Sequence, residues 1–237
     1  MPGTRSAFWR GMREGAPFIL VVAPFGLLFG VVATEAGFNL TEVMAFSIFV
    51  IAGASQFAAI QLMAENTPTL IVIATALAVN LRMAMYSAAL APSLGGLPFW
   101  KRAVMAYFLV DQTYALAAIE YENRPRMSLA EKTAFFVGVT VPVCPIWYVS
   151  TYVGATLGEA IPPEYALDFA VPITFIAIIS PMLRTPAHLA AAAVSAVGAV
   201  VLSFLPYNSG LLVAAVLAMA TGATVETLLD RKRGRTA

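Results

Sequence analysis

The stretch Pro68-Thr-Leu-Ile-Val-Ile-Ala-Thr-Ala-Leu-Ala-Val-Asn-Leu-Arg-Met-Ala-Met-Tyr-Ser-Ala-Ala-Leu-Ala91 decides the fold class. It is apolar throughout except for a few polar side chains and one charge, Arg82. About 20 such residues in a helix cross a hydrocarbon core of about 30 Å. Pro92-Ser-Leu-Gly-Gly-Leu-Pro98 follows, and its prolines and glycines end a helix. The stretch therefore reads as a membrane span carrying an arginine at depth.

By the same test there are eight apolar stretches, at 17–36, 43–64, 68–91, 103–121, 133–157, 165–183, 186–205 and 209–229. Turn-rich connectors separate them, among them Glu65-Asn-Thr-Pro68, Ile161-Pro-Pro-Glu164 and Pro206-Tyr-Asn-Ser-Gly210. The expectation is an all-α, polytopic transmembrane helix bundle of about eight spans, with seven as the alternative. Residues 1–237 form a single integral membrane transport domain, with short cytoplasmic ends at 1–16 and 230–237. Prolines inside spans, Pro24, Pro142, Pro145, Pro172 and Pro181, predict kinked or broken helices.

Composition agrees. Of 237 residues, 60% are hydrophobic and 11% charged, against about 25% charged in a soluble domain. The mean hydropathy is +0.81. The net charge of +1 supplies no basic face for nucleic acid. The single cysteine, Cys144, excludes an internal disulfide and reads as a small buried apolar residue. It and the single histidine, His188, stand apart, so neither a grouped metal-ligand set nor a nucleophile–base pair is in view. No enzyme activity, metal or cofactor is expected.

Lys and Arg set the orientation. With the amino terminus inside and eight crossings, the cytoplasmic side receives Arg5, Arg10, Arg13, Arg124, Arg126, Lys132, Arg184, Arg231, Lys232, Arg233 and Arg235. Only Lys101 and Arg102, beside Trp100, fall outside. A re-entrant segment within 43–91 would bring these two inside and send Arg124, Arg126 and Lys132 out.

Small residues spaced four apart let helix backbones approach. Gly26 and Gly30 in the first span, and Gly154 and Gly158 in the fifth, have that spacing and are expected at helix contacts, as is Gly53 in the second.

Charges at membrane depth are costly, and so mark candidate sites. Arg82 lies nine residues before the end of its span and Asp111 eight after the start of the next. Both therefore sit about 12–14 Å from one membrane face, and the expectation is that they pair or share one polar cavity. A structural ion pair is the plainer alternative to a substrate or proton site. In the second span, Ala52-Gly-Ala-Ser-Gln-Phe57 places Gly53, Ser55 and Gln56 at mid-depth, where the helix can loosen toward a ligand or make interhelical hydrogen bonds. Asn80 points about 160° away from Arg82 on a regular helix, so the two serve one site only if the helix breaks. Asp168 and Glu226 are expected near the interfaces, and His188 at a helix start.

Taken in order, Arg10-Gly-Met-x-x-Gly15, Pro24-Phe-Gly-Leu-Leu-Phe-Gly30, Ala52-Gly-Ala-Ser-Gln-Phe57, Asn80-Leu-Arg82 with Tyr86-Ser87, Asp111-Gln112 and Leu167-Asp-Phe-Ala170 resemble the AzlC family. Its members are the large subunits of bacterial branched-chain amino acid exporters. The resemblance implies export of leucine, isoleucine and valine, with methionine a further candidate, across the cytoplasmic (inner) membrane. It also implies drive by an ion gradient, with the proton as coupling ion, and a small hydrophobic AzlD-type partner subunit. Met83 stands where a histidine often follows the Asn-Leu-Arg motif, and Gln112 where a glutamate often follows the aspartate. In this reading Arg82 or a loosened helix end holds the substrate carboxylate, and Asp111 holds the ammonium or a proton, with Asn80, Ser55, Gln56 and Gln112 around them. A channel or carrier for another small solute, or a non-transporting scaffold subunit, is the competing reading.

Overall fold

A computed structural model describes residues 3–158, 183–206 and 209–233, and these form helices joined by short turns, with no strand among the described residues. The expected span 165–183 lies outside the described residues, apart from Leu183. So do Asp168, Pro172, Pro181, the connector Ile161–Glu164 and the motif Leu167–Ala170. Two compact units divide the chain: Met1–Gln61 with Ala76–Tyr165, and Leu62–Thr75 with Ala166–Ala237.

In the first unit, helices α1 (Thr4–Gly15) and α2 (Ile19–Glu35) are joined by one 3-10 turn, Ala16–Phe18, and run on as a single 32-residue rod. Residues expected as a polar end are thus helical. The reason is a stripe of small side chains, Ala7, Gly11 and Gly15, buried against α8 (Leu129–Gly158). The stripe continues into α2. A side chain at Gly30 would strike the backbone of Thr151 and Ala155, and one at Gly154 the backbone of Leu27. Gly26 lies against Trp147 and Ser150, and Gly158 against Val31 and Thr34. The two small-residue motifs therefore face one another, and the order of contacts makes the rod and α8 parallel. Pro24, Pro142 and Pro145 all stand inside helices that continue past them.

The expected span 43–64 is instead two helices, α3 (Leu40–Val50) and α4 (Gly53–Ala64), divided at Ile51-Ala52. Phe46 of α3 and Phe57 of α4 both pack on Phe29, while Gly53 reaches deeper to Phe25 and Trp147. The pair therefore enters from the end of α2, turns at mid-depth and goes back. Helix α5 (Thr69–Leu94) is unbroken over 26 residues, about 39 Å.

The expected span 103–121 is likewise divided, into α6 (Phe99–Tyr107) and α7 (Asp111–Asn123), with Phe108–Val110 between. Lys132 Nζ donates to Ser93 Oγ at 3.1 Å, and Gly96 lies beside Leu129. Tyr121 of α7 donates to the Lys132 carbonyl at 2.8 Å. The end of α5, the start of α6, the end of α7 and the start of α8 thus share one face of the unit, and α6–α7 is a second re-entrant pair. That face also holds Arg10, Arg124 and Lys132. Two pairs entering from opposite faces explain Lys101 and Arg102, which join the other basic residues at no cost to Arg124, Arg126 and Lys132. Among the described residues, the rod, α5 and α8 are long helices with two broken pairs between them, and of these Leu62–Ala64 of α4 and Thr69–Thr75 of α5 belong to the second unit.

In the second unit, α9 (Pro186–Val201) and α10 (Ser209–Arg233) form an antiparallel hairpin, with Gly198 against Ala214 and Gly222 against Ala191. Thr185 caps α9 by accepting from the His188 N–H at 3.2 Å, which accounts for His188 at a helix start. Glu226 is exposed on α10.

Candidate functional site

A backbone that leaves helical form inside a membrane must find new hydrogen-bond partners. At the α3–α4 break, Gln56 Oε1 accepts from Ala52 N–H at 3.1 Å and Ser55 Oγ donates to the Ala52 carbonyl at 2.9 Å. Gln56 Nε2 reaches Ser47 Oγ at 3.3 Å, and Ser47 Oγ reaches Thr151 Oγ1 of α8 at 3.4 Å. Ser55 and Gln56, expected as substrate candidates, are wholly buried and engaged in holding the break. Ile51, a β-branched residue, is held there at φ +29°, a conformation such side chains rarely adopt.

At the α6–α7 break the same task falls to Thr113. Its hydroxyl accepts from Val110 N–H at 2.9 Å and lies 2.8 and 3.1 Å from the Val110 and Phe108 carbonyls. The break makes Asp111 the first residue of α7 rather than a mid-helix one. Its carboxylate therefore lies at a helix amino terminus, where the aligned peptide dipoles favour negative charge.

Opposite stands Arg82 of α5, with Nη1 3.0 Å from Asp111 Oδ2. The expected pairing is present. Yet the pair does not use all of itself: Arg82 Nε and Asp111 Oδ1 are buried with no hydrogen-bond partner among the described residues. Leaving such atoms unmade costs about 1–3 kcal/mol each, more for charged groups. A spare donor on a cation and a spare acceptor on the anion paired with it suit a ligand that carries both charges. Tyr86, one turn along α5 from Arg82, stacks on Tyr114, one turn along α7 from Asp111, with ring centroids 4.1 Å apart.

Asn80 does not join this site. Helix α5 is unbroken, so Asn80 lies on another face from Arg82, its Oδ1 also buried without a partner among the described residues. Gln112, next to Asp111, is half-buried. Gly53 packs against the Phe25 and Trp147 rings, where a Cβ would come within 2.7 Å of Phe25.

Three features went unread in the sequence. Tyr107, at the tip of the second pair, donates to the Ile48 carbonyl near the end of α3 and lies 2.9 Å from the Tyr148 hydroxyl. Glu120, buried on α7, takes Arg10 of α1 at 2.8 Å and Arg124 at 3.2 Å. The Trp147 indole N–H is buried without a partner among the described residues. Charge spacing along α7 could have flagged Glu120; nothing local signals the Tyr107 contact.

Long apolar helices with broken pairs between them, and an ion pair at the break, make this a polytopic α-helical membrane protein, an arrangement consistent with a transporter-type role. Residues 17–161, more than half of the chain, match the family described as AzlC protein, and the chain belongs to that family. An inner membrane protein of Escherichia coli (strain K12), YgaZ, is 28% identical over 185 residues, 75% of this chain and 74% of that protein. An uncharacterized membrane protein of Archaeoglobus fulgidus is 31% identical over 206 residues, 85% of this chain and 86% of that one. One from Helicobacter pylori (strain 26695) is 26% identical over 134 residues, 56% and 57% of the two chains. No solved structure matches the chain.

Proposed function

We propose that this chain is the large subunit of a secondary exporter of branched-chain amino acids, driven by the proton gradient and acting with a small AzlD-type subunit. It is a carrier rather than an enzyme. The observation that carries this reading is the Arg82–Asp111 pair with its two spare atoms, set at a helix break. Arg82 Nε takes the substrate carboxylate and Asp111 Oδ1 its ammonium or a proton. Half-helix termini at mid-depth suit such groups. The basic face of the first unit, carrying Arg10, Lys101, Arg102, Arg124, Arg126 and Lys132, is cytoplasmic by the excess of positive charge there.

The test is efflux of preloaded radiolabelled leucine from bacteria lacking their own exporters, with and without a small AzlD-type subunit and with and without an uncoupler. Uncoupler-sensitive efflux supports the reading. Absence of efflux in every arm, with the protein present in the membrane, removes leucine export and leaves a different solute or a scaffold role.

A further inference from the structure

A cavity of about 160 Å³ opens between α5, α6 and α8 on the basic face of the first unit. Leu90, Leu94, Met105, Leu109 and Phe136 form its wall, and Ser87 and Arg102 are its polar members. The five apolar residues are each at least nine-tenths buried. A cavity of about 150 Å³ with such a lining holds a benzene-sized apolar group, the size class of a branched aliphatic side chain. Arg102 is the only charge among the lining residues and has no ion pair among the described residues.

Leu109 links this cavity to the ion pair. It belongs to the non-helical turn Phe108–Val110 and lies two residues before Asp111. A shift of that turn therefore moves the cavity wall and the Asp111 carboxylate together.

We propose that this cavity is an entry subsite on the cytoplasmic side, where the amino acid binds before it reaches Arg82 and Asp111. Its side chain lies against Leu90, Leu94, Met105, Leu109 and Phe136, and its carboxylate against Arg102. The subsite rests on the reading of the protein as an amino acid exporter and adds to it the residues that select the side chain by size.

The test introduces one thiol by Ser87→Cys in a Cys144→Ala background and follows its alkylation by N-ethylmaleimide in inverted membrane vesicles. Leucine at ten times its dissociation constant slows the reaction about tenfold by mass action, while glutamate does not. Leucinol, which lacks the carboxylate, protects less than leucine; equal protection removes Arg102 from the subsite. In parallel, Leu94→Ala raises the ratio of phenylalanine to leucine efflux about tenfold or more, the least that a single methylene is worth in such a pocket.

Leucine efflux with no protection of the introduced thiol and an unchanged ratio overturns the subsite and leaves the export reading standing. Protection without efflux keeps the subsite as a binding site and overturns export. Neither protection nor efflux, with both proteins present in the membrane, overturns both.

Discussion

Tyr107 and Ile48 belong to helices that stop inside the protein, and the hydroxyl of the first donates to the carbonyl of the second. A helix leaves its last carbonyls without partners, and in a membrane no water replaces them. The tip of the pair entering from one face thus completes the tip of the pair entering from the other. Tyr107→Phe strands the Ile48 carbonyl at a cost of about 1–3 kcal/mol. At about 2–4 °C per kcal/mol for a chain of this length, the melting temperature in detergent should fall by several degrees. An unchanged melting curve would show that the contact adds nothing.

Two opposed re-entrant pairs also fix which side each loop faces. Single cysteines introduced by Trp100→Cys and Arg126→Cys, in a Cys144→Ala background, should be labelled by a membrane-impermeant thiol reagent from the same side. Eight simple crossings would expose them on opposite sides, so opposite labelling sinks the re-entrant reading of α6–α7.

The parallel packing of α2 on α8 depends on glycine. A methyl group at Gly154 collides with the backbone of Leu27, whereas one at Gly3 meets nothing within 4 Å. Overpacking of this kind costs about 1–3 kcal/mol. Gly154→Ala should therefore lower the melting temperature measurably and Gly3→Ala should not. Equal behaviour of the two variants would argue that the helices part without strain.

Arg82→Lys keeps the charge and removes the planar fork that carries the spare Nε donor. If that donor holds the substrate carboxylate, leucine efflux is lost although the protein reaches the membrane in normal amount. Asp111→Asn should abolish efflux as well, by removing the group for the ammonium or the proton. Normal efflux by Arg82→Lys would reduce Arg82 to a partner that neutralises Asp111.

The sequence alone determined the helical membrane class, because a chain with so few charges cannot cover itself in water. It also determined that Arg82 and Asp111 lie level, since both are counted from the ends of neighbouring apolar runs. The facing of Gly26 and Gly30 with Gly154 and Gly158 was half legible: the spacing announced a close contact and not its partner.

That two of the apolar runs turn back follows from long-range contacts alone. Residues 43–64 and 103–121 are each apolar enough on average to read as a crossing despite the polar residues at their middles, so hydropathy cannot tell a crossing from a helix that stops and returns. The breaks exist because Gln56, Ser55 and Thr113 supply backbone partners and because Tyr107 reaches Ile48 from across the unit. The Tyr107 bond joins residues far apart in the chain, and no local pattern records it. The same holds for Glu120, whose partner Arg10 stands 110 residues away. Once the breaks are made, Asp111 becomes the head of a helix, and the ion pair read from the sequence acquires the spare atoms that suit a ligand.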